Sequence, residues 1–164
     1  MQITNIIQKE IKVETAKTRQ ILERITDEHL AWKPHEKSMS LKDLAAHVVE
    51  LHNWMGLALQ KDKFDFHTDY TRLETPTAAT LIDRLDAGLQ ANLDAVGKIS
   101  EADWESQWTL CAGDHIISQS SKISAARFII QNHLIHHRGQ LSVYLRLLNI
   151  PVPGIYGPSA DEKM

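Results

Sequence analysis

Four stretches of this chain repeat apolar residues every three or four positions. That period admits amphipathic helices packed side by side and little else. The first stretch runs from about residue 2 to 25 and carries Ile3, Ile7, Ile11, Thr15, Thr18, Leu22 and Ile25. Its two threonines make the middle of the stripe less apolar than its ends. Pro34 stops any continuation, because proline lacks the amide and clashes with the preceding turn. Ser40, with Asp43 three residues on, reads as the N-cap of a second helix reaching about Gln60. Lys61 to Thr75 is polar and Asp-rich and reads as a loop. Thr75-Pro76 is expected to open a third helix, with proline at the first helical position. Thr80, Leu81, Leu85, Leu89, Leu93 and Val96 carry that helix to about Lys98. Ser100 to Trp104 reads as one short helical turn. Residues 105–121 are irregular, with a short hairpin expected at Gly113-Asp114. The fourth helix starts near Ser121 or Ser124 and runs to about Asn149, and the Pro- and Gly-rich tail beyond it is a loop. The expected fold is all-α: one domain over residues 1–164, a four-helix bundle with an irregular insertion before the last helix.

Composition narrows the function classes. The net charge of -3, with no block of Lys or Arg, argues against nucleic-acid binding. No apolar run is long enough to span a membrane, and the start Met-Gln-Ile-Thr-Asn does not read as a signal peptide. The single Cys111 excludes an internal disulfide and fits a reducing compartment. A cytoplasmic location is therefore expected.

The nine histidines are the compositional oddity. His29, His35, His67 and His115 fall in loops or at helix ends and read as surface residues. At about 100° per residue, His133 and His137 share one face of the fourth helix, in a stripe with Ala126, Ile130, Leu141, Tyr144 and Leu148. His136 falls to the flank of that stripe. In the second helix His47 lies on the inward stripe with Leu44, Leu51 and Trp54, and His52 is expected on the opposite side. A single histidine on an apolar face is usually a hydrogen-bonded core residue. Three on core faces, two of them at i and i+4, are better explained by one metal ion satisfying a nitrogen on each. Three neutral nitrogen ligands with a fourth position open is the pattern of catalytic zinc.

Leu44-Ala-Ala-His47 with Trp54 after it, the run His133-Leu-Ile-His-His-Arg-Gly-Gln140, and the closing Pro151-Val-Pro-Gly-Ile-Tyr-Gly-Pro158 together resemble the DinB/YfiT-like superfamily. These are metal-binding four-helix bundles, and the resemblance covers nearly the whole chain. It implies that His47, His133 and His137 hold the metal. It does not imply DNA binding. Relatives in the superfamily include metal-dependent thiol S-transferases and a thiol-dependent isomerase.

Three imidazoles suit Zn, Ni, Cu or Fe, and a divalent ion, zinc or nickel foremost, is the expected cofactor. Two reactions then follow. In the first, the site activates a low-molecular-weight thiol as a nucleophile toward a small-molecule substrate. In the second, metal-bound hydroxide attacks a carbonyl or phosphoryl group. The resemblance favours S-transfer, while the spacing fits both. A non-enzymatic protein with a structural metal is the third reading, and His136, His52 or Glu50 could then supply a fourth ligand. Glu50, about 60° from His47, could instead be a general base or a solvated or supporting carboxylate. Arg138 points away from the ligands and is expected to anchor a loop or the C-terminal tail. Cys111 reads as an inert small residue. On the far side of the fourth helix, Phe128, Ile135, Gly139 and Val143 form a second apolar strip. It predicts a homodimer, or else packing under residues 105–121.

Overall fold

The computed structural model describes residues 2–162. Four long helices form the frame: α1 (Ile3–Leu22), α2 (Leu41–Leu57), α3 (Ala78–Val96) and, at the end, α6 (Asn132–Leu147). The helix α2 packs against α3 and α6, and α1 packs against the same two, so α1 and α2 stand diagonally across the bundle. The four-helix bundle is as expected, but the chain is not purely α. A three-stranded sheet is ordered β1 (Lys63–Asp65), β2 (Gln107–Ala112), β3 (His115–Ser121). β2 and β3 are an antiparallel hairpin closed by Gly113-Asp114. Gly113 takes φ +61, a conformation glycine reaches without a Cβ clash. β1 pairs parallel to β2, Phe64 beside Leu110. Three residues are too few to show a strand period, and for that reason the 61–75 segment reads as plain loop.

The helix ends follow capping chemistry. Ser40 caps α2, its hydroxyl accepting from the Asp43 amide and donating to the Asp43 carboxylate. The third helix corrects the expectation for Pro76. Thr77 is the N-cap and forms a reciprocal box with Thr80, so Pro76 lies before the helix, buried, not at its first position. Ser100 caps the short α4 (Glu101–Trp104). The last helix is interrupted as well. After a single turn, α5 (Lys122–Ser124), a π-helical segment spans Ala125–Gln131 before α6 begins. The wider π turn shifts the phase of the helix. The central buried line of α6 is Leu134, Arg138, Leu141 and Leu145. His133 and His137 therefore lie beside the core stripe, half-buried, and not in its middle.

The two threonines of α1 are buried, and each answers a polar group from another helix. Thr18 accepts from Arg138. Thr15 donates to the Ile11 carbonyl at 2.6 Å, and its oxygen lies 2.8 Å from His52 Nε2. Asn53 Oδ1 lies 3.1 Å from the other ring nitrogen, Nδ1. The ring is 5% exposed, so the expectation that it faces away from the core is wrong. Twelve of the seventeen residues of α2 are buried, because the helix is enclosed by α3, α6 and the loop that follows it. A wheel that assigns α2 a solvent face misplaces His52 for this reason. Burial pushes its pKa down, so the imidazole is neutral.

The C-terminal tail is a fixed loop. Arg146 pairs with Asp161, which also accepts from the Val152 amide. Tyr156 reaches back to Glu14 and Arg138.

Candidate metal centre

His47 comes from α2 and His133 and His137 from the adjoining α6, one turn apart. One nitrogen from each ring lies within 4.8 Å of the other two. The Nε2 atoms of His47 and His133 are 3.5 Å apart. Ligands at 2.0–2.1 Å in a tetrahedral shell are about 3.3 Å from one another, so the His47–His133 pair already has ligand spacing and the third ring would move inward to hold one ion. The rings meet edge-on, with centroids 4.7–5.1 Å apart.

The outer nitrogens of two of the rings have partners of their own. His47 Nδ1 faces Glu50 Oε2 at 3.6 Å. Glu50 is 8% exposed and accepts from the Tyr70 hydroxyl at 2.5 Å and the Leu73 amide at 2.6 Å. Burial works against its carboxylate, but the bonds from His47, Tyr70 and Leu73 outweigh it and hold the pKa below the usual value. Burial, and secondly the Glu50 carboxylate, push the Tyr70 phenol up to about 12. His137 Nδ1 lies 2.7 Å from Gln140 Oε1, which makes Nδ1 the donor and leaves Nε2 free for an ion. A carboxylate–histidine–metal chain of this kind fixes ring and tautomer together.

Burial, and then the neighbouring rings of His137, His47 and His136, lower the His133 pKa to about 4. Burial likewise lowers that of His137. Both rings are neutral near pH 7, the state a metal requires.

The structure thus brings together all three histidines expected from the sequence. His136 points outward and its Nε2 accepts from the Gln140 amide, so the side chain of Gln140 lies between two adjacent histidines. His52 faces the diagonal helix and is committed to Thr15, so neither supplies a fourth ligand. Glu50 supports His47 and is not a free base. Gln140 could have been found from its i+3 spacing to His137. Tyr70 could not, since it acts from a loop twenty residues from Glu50. Arg138 is the tail anchor, as expected. Cys111 is buried in β2 with its thiol directed at the Phe64 carbonyl, remote in role from the histidines.

Comparison with known proteins agrees with this architecture. The family model for the DinB family matches residues 1–163. The chain belongs to the DinB family. The uncharacterized protein YrdA of Bacillus subtilis (strain 168) is 29% identical over 162 residues, covering 94% of this chain and 88% of that one. Two solved DinB-like proteins share the fold. One, from Bacillus cereus ATCC 10987, superposes with a TM-score of 0.71 at 23% identity, covering 92% of this chain and 95% of that one. The other, YjoA from Bacillus subtilis, superposes with a TM-score of 0.73 at 18% identity, covering 93% and 99%. In this DinB-family chain no helix among the described residues is long and apolar enough to cross a membrane.

Proposed function

We propose that this DinB-family protein binds a divalent ion, zinc or nickel, through His47, His133 and His137, and uses it to activate a low-molecular-weight thiol for S-transfer to a small-molecule substrate. The observation that carries the reading is the convergence of three rings from two helices, with the far nitrogens of His47 and His137 directed at Glu50 and Gln140. Because imidazole is an uncharged ligand, an ion held there keeps its full charge and would deprotonate a bound thiol. The protein's own part is orientation: Tyr70 and Leu73 hold Glu50, Glu50 holds His47, and Gln140 holds His137. Cys111 is sealed in the sheet, so the thiol comes from solution.

Titrating the cobalt-loaded protein with cysteine or glutathione tests this. A sulfur-to-cobalt charge-transfer band and release of about one proton per site near pH 7 are expected. Spectra indifferent to thiols, with turnover of activated esters, would instead support the hydrolase reading. Indifference without turnover would support a structural metal.

The protein is also proposed to be a cytoplasmic homodimer through the outer face of α6 and the π segment. Phe128 is 70% and Val143 56% exposed, so residues 105–121 do not cover them. Gly139 has nothing within 4 Å of where a Cβ would stand, leaving room for a second helix to approach closely. Sedimentation should show a dimer, and Phe128→Glu with Val143→Glu a folded monomer. A wild-type monomer at all concentrations would refute the dimer.

A further inference from the structure

A cleft of about 250 Å³, lined by Glu50 but by none of the three histidines, opens between α2, α3 and the loop before α3. Its floor is apolar, formed by Val49, Trp54, Leu57 and Leu73, and two arginines, Arg72 and Arg84, line it. The chain has seven arginines. Arg19, Arg127, Arg138 and Arg146 are each paired with a carboxylate. Arg24, Arg72 and Arg84 form no ion pair among the described residues, and the last two line the same cleft.

Acidic groups do not cancel them. The two carboxylates of the cleft are already committed. Glu50 accepts from Tyr70 and Leu73, and Asp69 accepts from Lys61 at 2.6 Å and the Asp65 amide at 2.9 Å. A neighbouring hollow of about 340 Å³ shares Glu50, Arg72 and Leu73 and adds Lys42, Asp43 and Glu74. Of its acids, Asp43 is bonded to Ser40, and Glu74 is exposed to water. Within the first cleft the uncommitted charge is therefore positive, and it sits above an aromatic and aliphatic floor.

A guanidinium presents parallel donors that match a carboxylate or phosphate. A volume below that of drug-sized sites limits the guest to a small molecule. We propose that this cleft binds a small organic anion, a carboxylate or phosphate on a short apolar body. Arg72 and Arg84 take the anionic group, and Trp54 and Leu57 take the body. His47, His133 and His137 do not line the cleft, so binding does not depend on a metal.

The test uses the full-length, metal-free protein and two probes, benzoate and phenyl phosphate, followed by amide and arginine side-chain NMR shifts. Saturable shifts at Leu73, Asn53 and Arg72 are expected. Response to benzoate alone assigns the carboxylate class, and response to phenyl phosphate alone the phosphate class. Both Arg72→Gln and Arg84→Gln should weaken binding at least about tenfold, the loss typical of one charge-assisted pair, while Arg127→Gln and His133→Ala leave it unchanged. Both cleft arginines are exposed, so the variants are expected to fold, and a melting curve checks this. No saturable shift with either probe overturns the proposal. So does wild-type affinity in either cleft variant, or loss of binding in His133→Ala.

Discussion

His133→Ala should bind at least about a hundredfold less metal-tightly than the wild type, while remaining folded. Removing a supporting residue typically costs 10–100-fold in affinity, and His133 is proposed as a ligand itself. Its Nε2 lies 3.5 Å from that of His47, and its loss leaves only one donor on each of the two helices. The ring is half-buried at the rim of the core, so truncation empties little packed volume. Elemental analysis of untagged protein and a competitive chelator titration measure the effect. Glu50→Gln should fall between the two proteins, about 10–100-fold weaker than wild type. The amide oxygen keeps the Leu73 bond and the amide nitrogen can donate to the Tyr70 hydroxyl, but the charge that faces His47 is lost. Full metal content in His133→Ala would disprove the site. Equal weakening by the two substitutions would show that Glu50 is a ligand and not a support.

The same substitution has a consequence for the metal-free protein. The folded pKa of His133 is depressed to about 4, below the ordinary histidine value of 6.5. As pH falls below 6.5 the unfolded chain takes up this proton while the native chain does not. Stability present above pH 6.5 is therefore lost progressively toward pH 4. The loss from this residue should be missing in His133→Ala, and denaturant titrations at pH 7 and pH 5 would show the smaller acid sensitivity.

What was legible in the sequence was whatever repeats along one element. Each long helix carries its period for sixteen residues or more, so its existence follows from apolar spacing. The i and i+4 histidines follow from the same arithmetic. What was not legible depends on partners distant in sequence. The direction of His52 is set by Thr15 across the bundle, and nothing around His52 announces it. Thr15 and Thr18 look like weak points in an apolar stripe, yet each is the docking point of a buried polar side chain. A polar residue inside such a stripe is thus a sign of a polar partner elsewhere. The π segment was hidden for another reason. Its residues, Ala-Ala-Arg-Phe-Ile-Ile-Gln, have ordinary helical composition, and only the hydrogen bonding differs. It moves Arg138 onto the central line of α6 and the histidines to its side. The expected ligands survive that shift because both lie beyond the segment and keep their mutual spacing.

Arg138→Met should destabilise the fold by about 3 kcal/mol at pH 7. Breaking a buried ion pair from one side typically costs 3–5 kcal/mol, because the surviving charge is left without compensation. Arg138 is 2% exposed and donates to four acceptors. These are the Glu14 carboxylate at 2.6 Å, the Glu14 carbonyl and Thr18 hydroxyl at 3.2 Å, and the Tyr156 oxygen at 2.6 Å. The lower end of the range applies because Glu14 keeps the Tyr156 hydroxyl at 2.7 Å and the Lys17 ammonium at 3.4 Å. Burial opposes the Glu14 carboxylate, but Tyr156 and Arg138 overcome it and hold its pKa below the ordinary glutamate value of 4.5. In the wild type this contributes stability that is present above pH 4.5 and disappears as pH falls through the depressed folded value. In Arg138→Met a main counterweight to burial, second to the Tyr156 bond, is gone, and the Glu14 pKa rises. The deficit of the variant should then be largest near neutrality and shrink toward pH 4, where Glu14 is protonated in the variant. Adding Glu14→Gln should recover part of the loss at pH 7, because the stranded charge is removed. The tail should loosen at the same time, since Tyr156 loses one of its two tethers to the bundle, and proteolysis near Tyr156 should quicken. Urea titrations of the two single variants and the double variant at pH 7 and pH 4 measure all of this. A deficit independent of pH would show that Arg138 matters as packing and not as the partner of Glu14.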